Sequence, residues 1–119
     1  MDIVLLDTNI LLSIFELKLD VLSLIDLDFG KNRYFTLQQV IDELRHNSSK
    51  EAVMALQLAK KLVPIREFES NKSVDDSLID YCVKNSCILA TQDKELIQKA
   101  KTKHLKVLQI RQKKYLNLI

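Results

Sequence analysis

Ile3-Val4-Leu5-Leu6-Asp7-Thr8-Asn9 is the stretch on which the reading of this 119-residue chain turns. Four apolar residues in a row read as a short strand buried on both faces. An acid follows at once, and then Ile10, Leu11, Leu12, Ile14 and Phe15 recur at helical spacing. A carboxylate at the carboxyl end of a central parallel strand stands where open α/β sheets hold their ligands. It also stands where a helix takes its N-cap. Asp7 alone does not choose between these readings; the arrival of other acids at the same place would.

Working outward, the chain alternates. Leu19 to Leu27 reads as a second short helix and Asp28-Phe29-Gly30-Lys31 as a turn. Arg33-Tyr34-Phe35 is a strand, and Thr36 caps a helix running through Leu44. After a break at His46 to Ser49, Glu51 to Leu62 carries Ala52, Ala55, Leu56 and Ala59 on one face. Val63-Pro64-Ile65 is a short strand, at an edge because proline lacks the ladder donor. Residues 66–73 are a polar connection, Asp75 to Lys84 a helix, and Cys87 to Ala90 a second fully apolar strand. Asp93 to Lys103 is a helix and Lys106 to Ile110 the last strand. The pattern is that of an α/β fold of three layers, α/β/α, with a central, mostly parallel and Rossmann-like sheet of about five strands. Ile3–Leu6 and Cys87–Ala90 should be central neighbours, with the switch in winding direction between their carboxyl ends.

Composition bounds the rest. The length suits a single domain, 1–119. No apolar run approaches the roughly 18 residues of a membrane span, and no signal peptide precedes Ile3, so a cytoplasmic protein with no membrane partner is expected. Cys82 and Cys87 lack the spacing of a zinc site and read as core thiols. His46 and His104, in polar surroundings, read as surface residues. Charge is uneven: residues 1–95 carry a surplus of five negative charges, whereas residues 96–119 hold seven basic residues and no acid. Such a basic segment attracts phosphate backbones, or is simply a solvated helix exterior.

Four acids are candidates for one site. Asp7 and Asp93 share a local setting: strand end, then helix start. Leu78, Ile79 and Cys82 lie at +3, +4 and +7 from Asp75, which shares their apolar face, whereas Asp76 lines up with Asp80 on the outer face. Glu43 and Asp42 both lie near the end of the Leu37–Leu44 helix, and the helical wheel does not choose between them. Like charges gathered at one sheet edge are tolerated when a cation sits between them.

In this order the motifs resemble those of the PIN-domain family. The resembling segments are Asp7-Thr8-Asn9 after an N-terminal strand, Val40-Ile41-Asp42-Glu43-Leu44 closing a helix, Val74-Asp75-Asp76-Ser77-Leu78-Ile79, and Leu89-Ala90-Thr91-Gln92-Asp93-Lys94-Glu95-Leu96. Together they cover nearly the whole chain; Gln92 stands where the family commonly has Asn. The resemblance implies a nuclease that cuts RNA at a carboxylate site holding Mg²⁺ or Mn²⁺. Carried over by position, the catalytic and metal-holding acids are Asp7, Glu43, Asp75 and Asp93, with Asp76 and Glu95 as further acids. Thr8, Asn9 and Thr91 support them; separately, the basic C-terminal segment makes Lys99, Lys101 and Lys103 candidates for the RNA backbone, one or two of them in contact because they alternate along the helix. Two branches stay open: the toxin of a toxin–antitoxin pair, partnered by an antitoxin, or a processing nuclease that meets ribosome-assembly proteins. A catalytically silent PIN-like module that binds RNA or protein is the alternative. Other folds of this alternation fit less well: a receiver wants an acid pair after strand one, and a haloacid-dehalogenase-like phosphatase wants an acid at position 9. Leu12, Phe15, Leu19, Leu22 and Leu24 exceed what one sheet contact hides, so a homodimer is expected.

Overall fold

A computed structural model describes residues 3–68 and 71–119. Residues 1, 2, 69 and 70, and with them part of the 66–73 connection, lie outside the described residues. The order is β1 (Ile3–Leu6), α1 (Thr8–Glu16), α2 (Val21–Phe29), β2 (Arg33–Leu37), α3 (Gln38–Arg45), α4 (Lys50–Leu62), β3 (Ile65–Arg66), α5 (Val74–Asn85), β4 (Ile88–Ala90), α6 (Lys94–Thr102), β5 (Val107–Arg111) and β6 (Tyr115–Leu118).

The strands form one sheet in the order β3-β2-β1-β4-β5-β6. β1 and β4 are the central pair, as their unbroken apolar character requires: Val4, Leu5, Leu6, Leu89 and Ala90 are all buried. The chain winds from β1 towards β3 in one direction and from β4 towards β6 in the other, so the switch falls between β1 and β4. α1, α3 and α4 pack together, and so do α5 and α6; right-handed crossovers in opposite directions put these groups on opposite faces. β3, with Pro64 before it, is an edge strand. Both cysteines are buried, and both histidines are exposed. Among the described residues no helix is long and apolar enough to cross a membrane.

Three local readings change. The sheet has a sixth strand: β6 runs antiparallel to β5, with Arg111 opposite Tyr115. Its turn is carried by Gln112 and Lys113 at φ 54° and 58°, a conformation usually signalled by Gly, Asn or Asp. Thr36 is not a cap but part of β2, and its buried hydroxyl donates to the Leu6 carbonyl at 2.8 Å. α3 instead starts after Leu37 with no side-chain cap. Finally, α2 extends through Phe29, leaving only Gly30, at φ 79°, to end it.

Strand register brings the first two site residues together. Leu6 lies opposite Ala90 in the parallel β1–β4 pair. One step further along both strands puts Asp7 beside Thr91.

Candidate active site

Asp7 is the N-cap of α1, and its second oxygen is engaged across the sheet. Its Oδ1 accepts the Thr8 N–H at 2.7 Å, which is the cap. Its Oδ2 accepts the Thr91 hydroxyl at 2.8 Å across the β1–β4 seam. Only 5% of Asp7 is exposed. Burial pushes its carboxyl up to about 6; the bonds from Thr91 and Thr8 oppose this, and the charges of Asp75 and Glu43 add to it.

Thr91 is the hub of the seam. Besides donating to Asp7, its Oγ1 accepts the Asp93 N–H at 3.1 Å and lies 3.4 Å from Asn9 Oδ1. Asn9 Oδ1 in turn accepts the Gln92 N–H at 2.9 Å. The first turn of α1 is thereby tied to the loop that begins α6. Asp93 caps α6 with Oδ1, which accepts the Glu95 and Leu96 N–H groups at 2.9 and 3.4 Å.

The other acids arrive from separate elements. Glu43, in the last turn of α3, accepts the Thr8 hydroxyl through Oε1. Asp42 instead takes the Gln38 side-chain amide at 3.0 Å on its own helix, so of the two only Glu43 has a partner on α1. Asp75 does not cap α5, because Ser73 does, accepting the Asp76 N–H at 3.2 Å. The Asp75 carboxyl is raised chiefly by burial, then by the charge of Asp93, with smaller additions from Glu43 and Asp76 and an opposing effect of Lys99. Asp7, Glu43, Asp75 and Asp93 therefore share one electrostatic neighbourhood.

Two of the supplementary acids divide. Asp76 faces outward enough to meet Lys99, at 3.6 Å, yet still acts on Asp75. Glu95 is exposed and is not among the groups that raise Asp7 or Asp75. The lysines divide too. Lys99 and Lys103 border a groove of about 390 Å³ with Lys72, Asp76 and Asp80, and Lys101 is not on its lining. The helix itself explains this: 99 and 103 share a face that 101 opposes.

One residue escapes sequence reasoning. The Gln92 side chain donates to the Ile110 carbonyl at 3.0 Å and accepts the Ile110 N–H. It thus stands in for a ladder partner beyond the end of β4. The extra methylene relative to Asn is the only signal the sequence offers.

The donors are all hard oxygens, suited to a hard divalent cation. Among the described residues, no three Asp, Glu, His or Cys side chains converge to the spacing of one ion's direct ligands.

The PIN-like domain family model matches residues 4–113. The chain belongs to this family. Among PIN-like relatives, Ribonuclease VapC9 of Archaeoglobus fulgidus is 35% identical over 105 residues, which is 85% of this chain and 77% of that protein. The PIN domain endonuclease Utp24 superposes with a TM-score of 0.85 at 20% identity, over 98% of this chain and 90% of that one. A domain of a functionally unknown protein from Methanocaldococcus jannaschii gives a TM-score of 0.67 at 12% identity, over 93% and 92%. At those identities the two superpositions speak for the PIN-like fold alone.

Proposed function

We propose that this PIN-like protein is an endoribonuclease that hydrolyses RNA phosphodiester bonds with Mg²⁺ or Mn²⁺ held by Asp7, Glu43, Asp75 and Asp93. The observation that carries the reading is Asp7 itself, buried at the switch point with Thr91 on one oxygen and two further acids acting on it. The ribonuclease name of the 35% identical relative supports the substrate class. A bound divalent ion polarises phosphoryl oxygens and acidifies water near neutral pH. Thr91 and Thr8 fix the Asp7 and Glu43 carboxylates; Asp76 adds charge beside Asp75. Glu95 is kept only as an outer acid that RNA binding would have to draw in. The same protein lies in one of two settings: a toxin restrained by an antitoxin, or an RNA-processing enzyme among ribosome-assembly proteins.

The test is cleavage of single-stranded RNA by the purified chain. Cleavage is expected with Mg²⁺ or Mn²⁺ and none in excess chelator. Undiminished cleavage in chelator would end the metal reading. That no three acids converge among the described residues favours one rival, a silent RNA- or protein-binding module; binding without cleavage under every metal condition would select it.

The groove beside Asp76 supports an RNA path over α6. In an inactive background, replacing Lys99 and Lys103 with Ala is expected to weaken binding of all sequences alike. It should also flatten the salt dependence by up to roughly 0.7 log units for each phosphate no longer neutralised. Lys101→Ala should leave the slope unchanged, and equal effects at all three positions would move the path elsewhere.

The homodimer rests on α1 and α2. Leu12, Phe15, Leu19, Leu22 and Leu24 are half-covered by the core, while Leu27 is 79% exposed. Sedimentation at high micromolar concentration should give a dimer that Leu27→Glu weakens; a monomer throughout would remove the proposal.

A further inference from the structure

α5 ends and β4 begins with no slack. Ser86 lies in the left-handed region at φ 56°, and its N–H bonds the Cys82 carbonyl. The Cys87 N–H reaches the same carbonyl at 3.1 Å. A helix ending of this type brings the side chains of those two positions together, normally as an apolar contact. Here both are cysteines, and both thiols are free.

Both are core thiols, Cys82 fully buried and Cys87 4% exposed, but they lie at the edge of the core. The Cys87 thiol donates to the Asn85 carbonyl at 3.8 Å, and the neighbourhood of the two thiols lowers Cys87 and, with burial, raises Cys82. Both line a cavity of about 340 Å³ with Ser86, Lys103, His104 and Lys106. Those four residues are exposed, so the cavity opens to solvent and its rim is cationic. That cationic rim favours the thiolate, the reactive form, of Cys87, the less buried of the two.

We propose that Cys82 and Cys87 form a redox pair, which a peroxide converts into an intramolecular disulfide tying α5 to β4. The Cys87 thiolate attacks one peroxide oxygen; the O–O bond breaks, and the departing hydroxide takes up a proton to leave as water. Cys87 is then a sulfenic acid. The Cys82 sulfur attacks that sulfur, the S–O bond breaks, and the hydroxyl leaves as water with the Cys82 proton. Two thiols and one peroxide become one disulfide and two waters, the two electrons passing from sulfur to oxygen. The bond closes the joint between the helix that carries Asp75 and the strand that leads to Thr91, so oxidation stiffens the frame of the four acids.

The test uses the reduced full-length protein and stoichiometric hydrogen peroxide, with no RNA or metal, so its outcome is separate from that of the nuclease reading. Expected are a mass lower by two hydrogens, loss of both thiols as titrated after unfolding, and a melting temperature raised by several degrees. Dithiothreitol should reverse all three. In Cys82→Ser the sulfenic acid should persist on Cys87 and be trapped by dimedone; if that variant fails to fold, Cys82→Ala serves. Cys87→Ser should react far more slowly. The proposal is overturned if both thiols survive peroxide in the folded protein, if only intermolecular disulfides form, or if dimedone labels Cys82 in preference to Cys87.

Discussion

Asp7→Asn is expected to abolish RNA cleavage and, in chelator at neutral pH, to make the protein more stable. Cleavage should fall by at least about a hundredfold, the scale on which removal of one well-placed electrostatic group acts. The stability gain has a separate origin. Asp7 holds its proton to about pH 6 in the folded protein but gives it up near its ordinary value of 3.8 in the unfolded chain. The folded state therefore binds more protons between these values, and its stability declines as pH rises through them. The full penalty above pH 6 is roughly 3 kcal/mol for a shift of about two units; below pH 4 it vanishes. Asn never bears the charge, so the variant should gain up to that amount at pH 7 and converge with wild type in acid.

Hydrogen bonding does not cancel the gain. The Asn oxygen still caps Thr8, and its amide meets Thr91 Oγ1, whose own proton turns to Asn9 Oδ1, 3.4 Å away. Thermal melts at pH 4 and pH 7 decide the matter. A variant less stable than wild type at pH 7 would mean that Asp7 serves the fold and that the site is misassigned.

Gln92→Ala is expected to lower stability by about 1–3 kcal/mol, the value of two net hydrogen bonds to a strand end that water only partly replaces. Ile110 is 5% exposed, and both its backbone groups lean on this one amide. The melting temperature should drop by roughly 4–12 °C. Gln92→Asn should lose most of the same amount, because it is one methylene short. A Gln92→Ala melt within a degree of wild type would mean that solvent satisfies Ile110 unaided.

The parts of the molecule legible in sequence are those whose cause is local. β1 and β4 are apolar on both faces because both faces are covered, and that alone makes them neighbours and fixes the switch point. β6 escapes a sequence reading because its turn uses Gln112 and Lys113 at positive φ rather than a residue that announces one. Thr36 misleads because a threonine before a helix looks like a cap, whereas its partner is the Leu6 carbonyl, 30 residues back. At the candidate site, serving as a cap does not use up Asp7. Asp7 has two oxygens; one caps and the other faces Thr91. The difference between Glu43 and Asp42 cannot be read from the helix, because the partner that distinguishes them, Thr8, comes from another element. Gln92 is easily passed over because an amide near a strand end has many uses, and only the position of β5 reveals this one.

The Thr91–Asp7 bond joins residues 84 positions apart, and this sets an order of events during synthesis. Asp7 leaves the ribosome among the first residues and Asp93 among the last quarter. Until β4 emerges, β1 has an open edge where its neighbour belongs, and the longest loop in the sheet remains to be closed. A chain broken off before β4 can hold Asp7, Glu43 and even Asp75, yet it has neither the hydroxyl that seats Asp7 nor the strand that buries it. Fragments of an abandoned translation would therefore lack the seam, and the four acids come together only once β4 has joined the sheet.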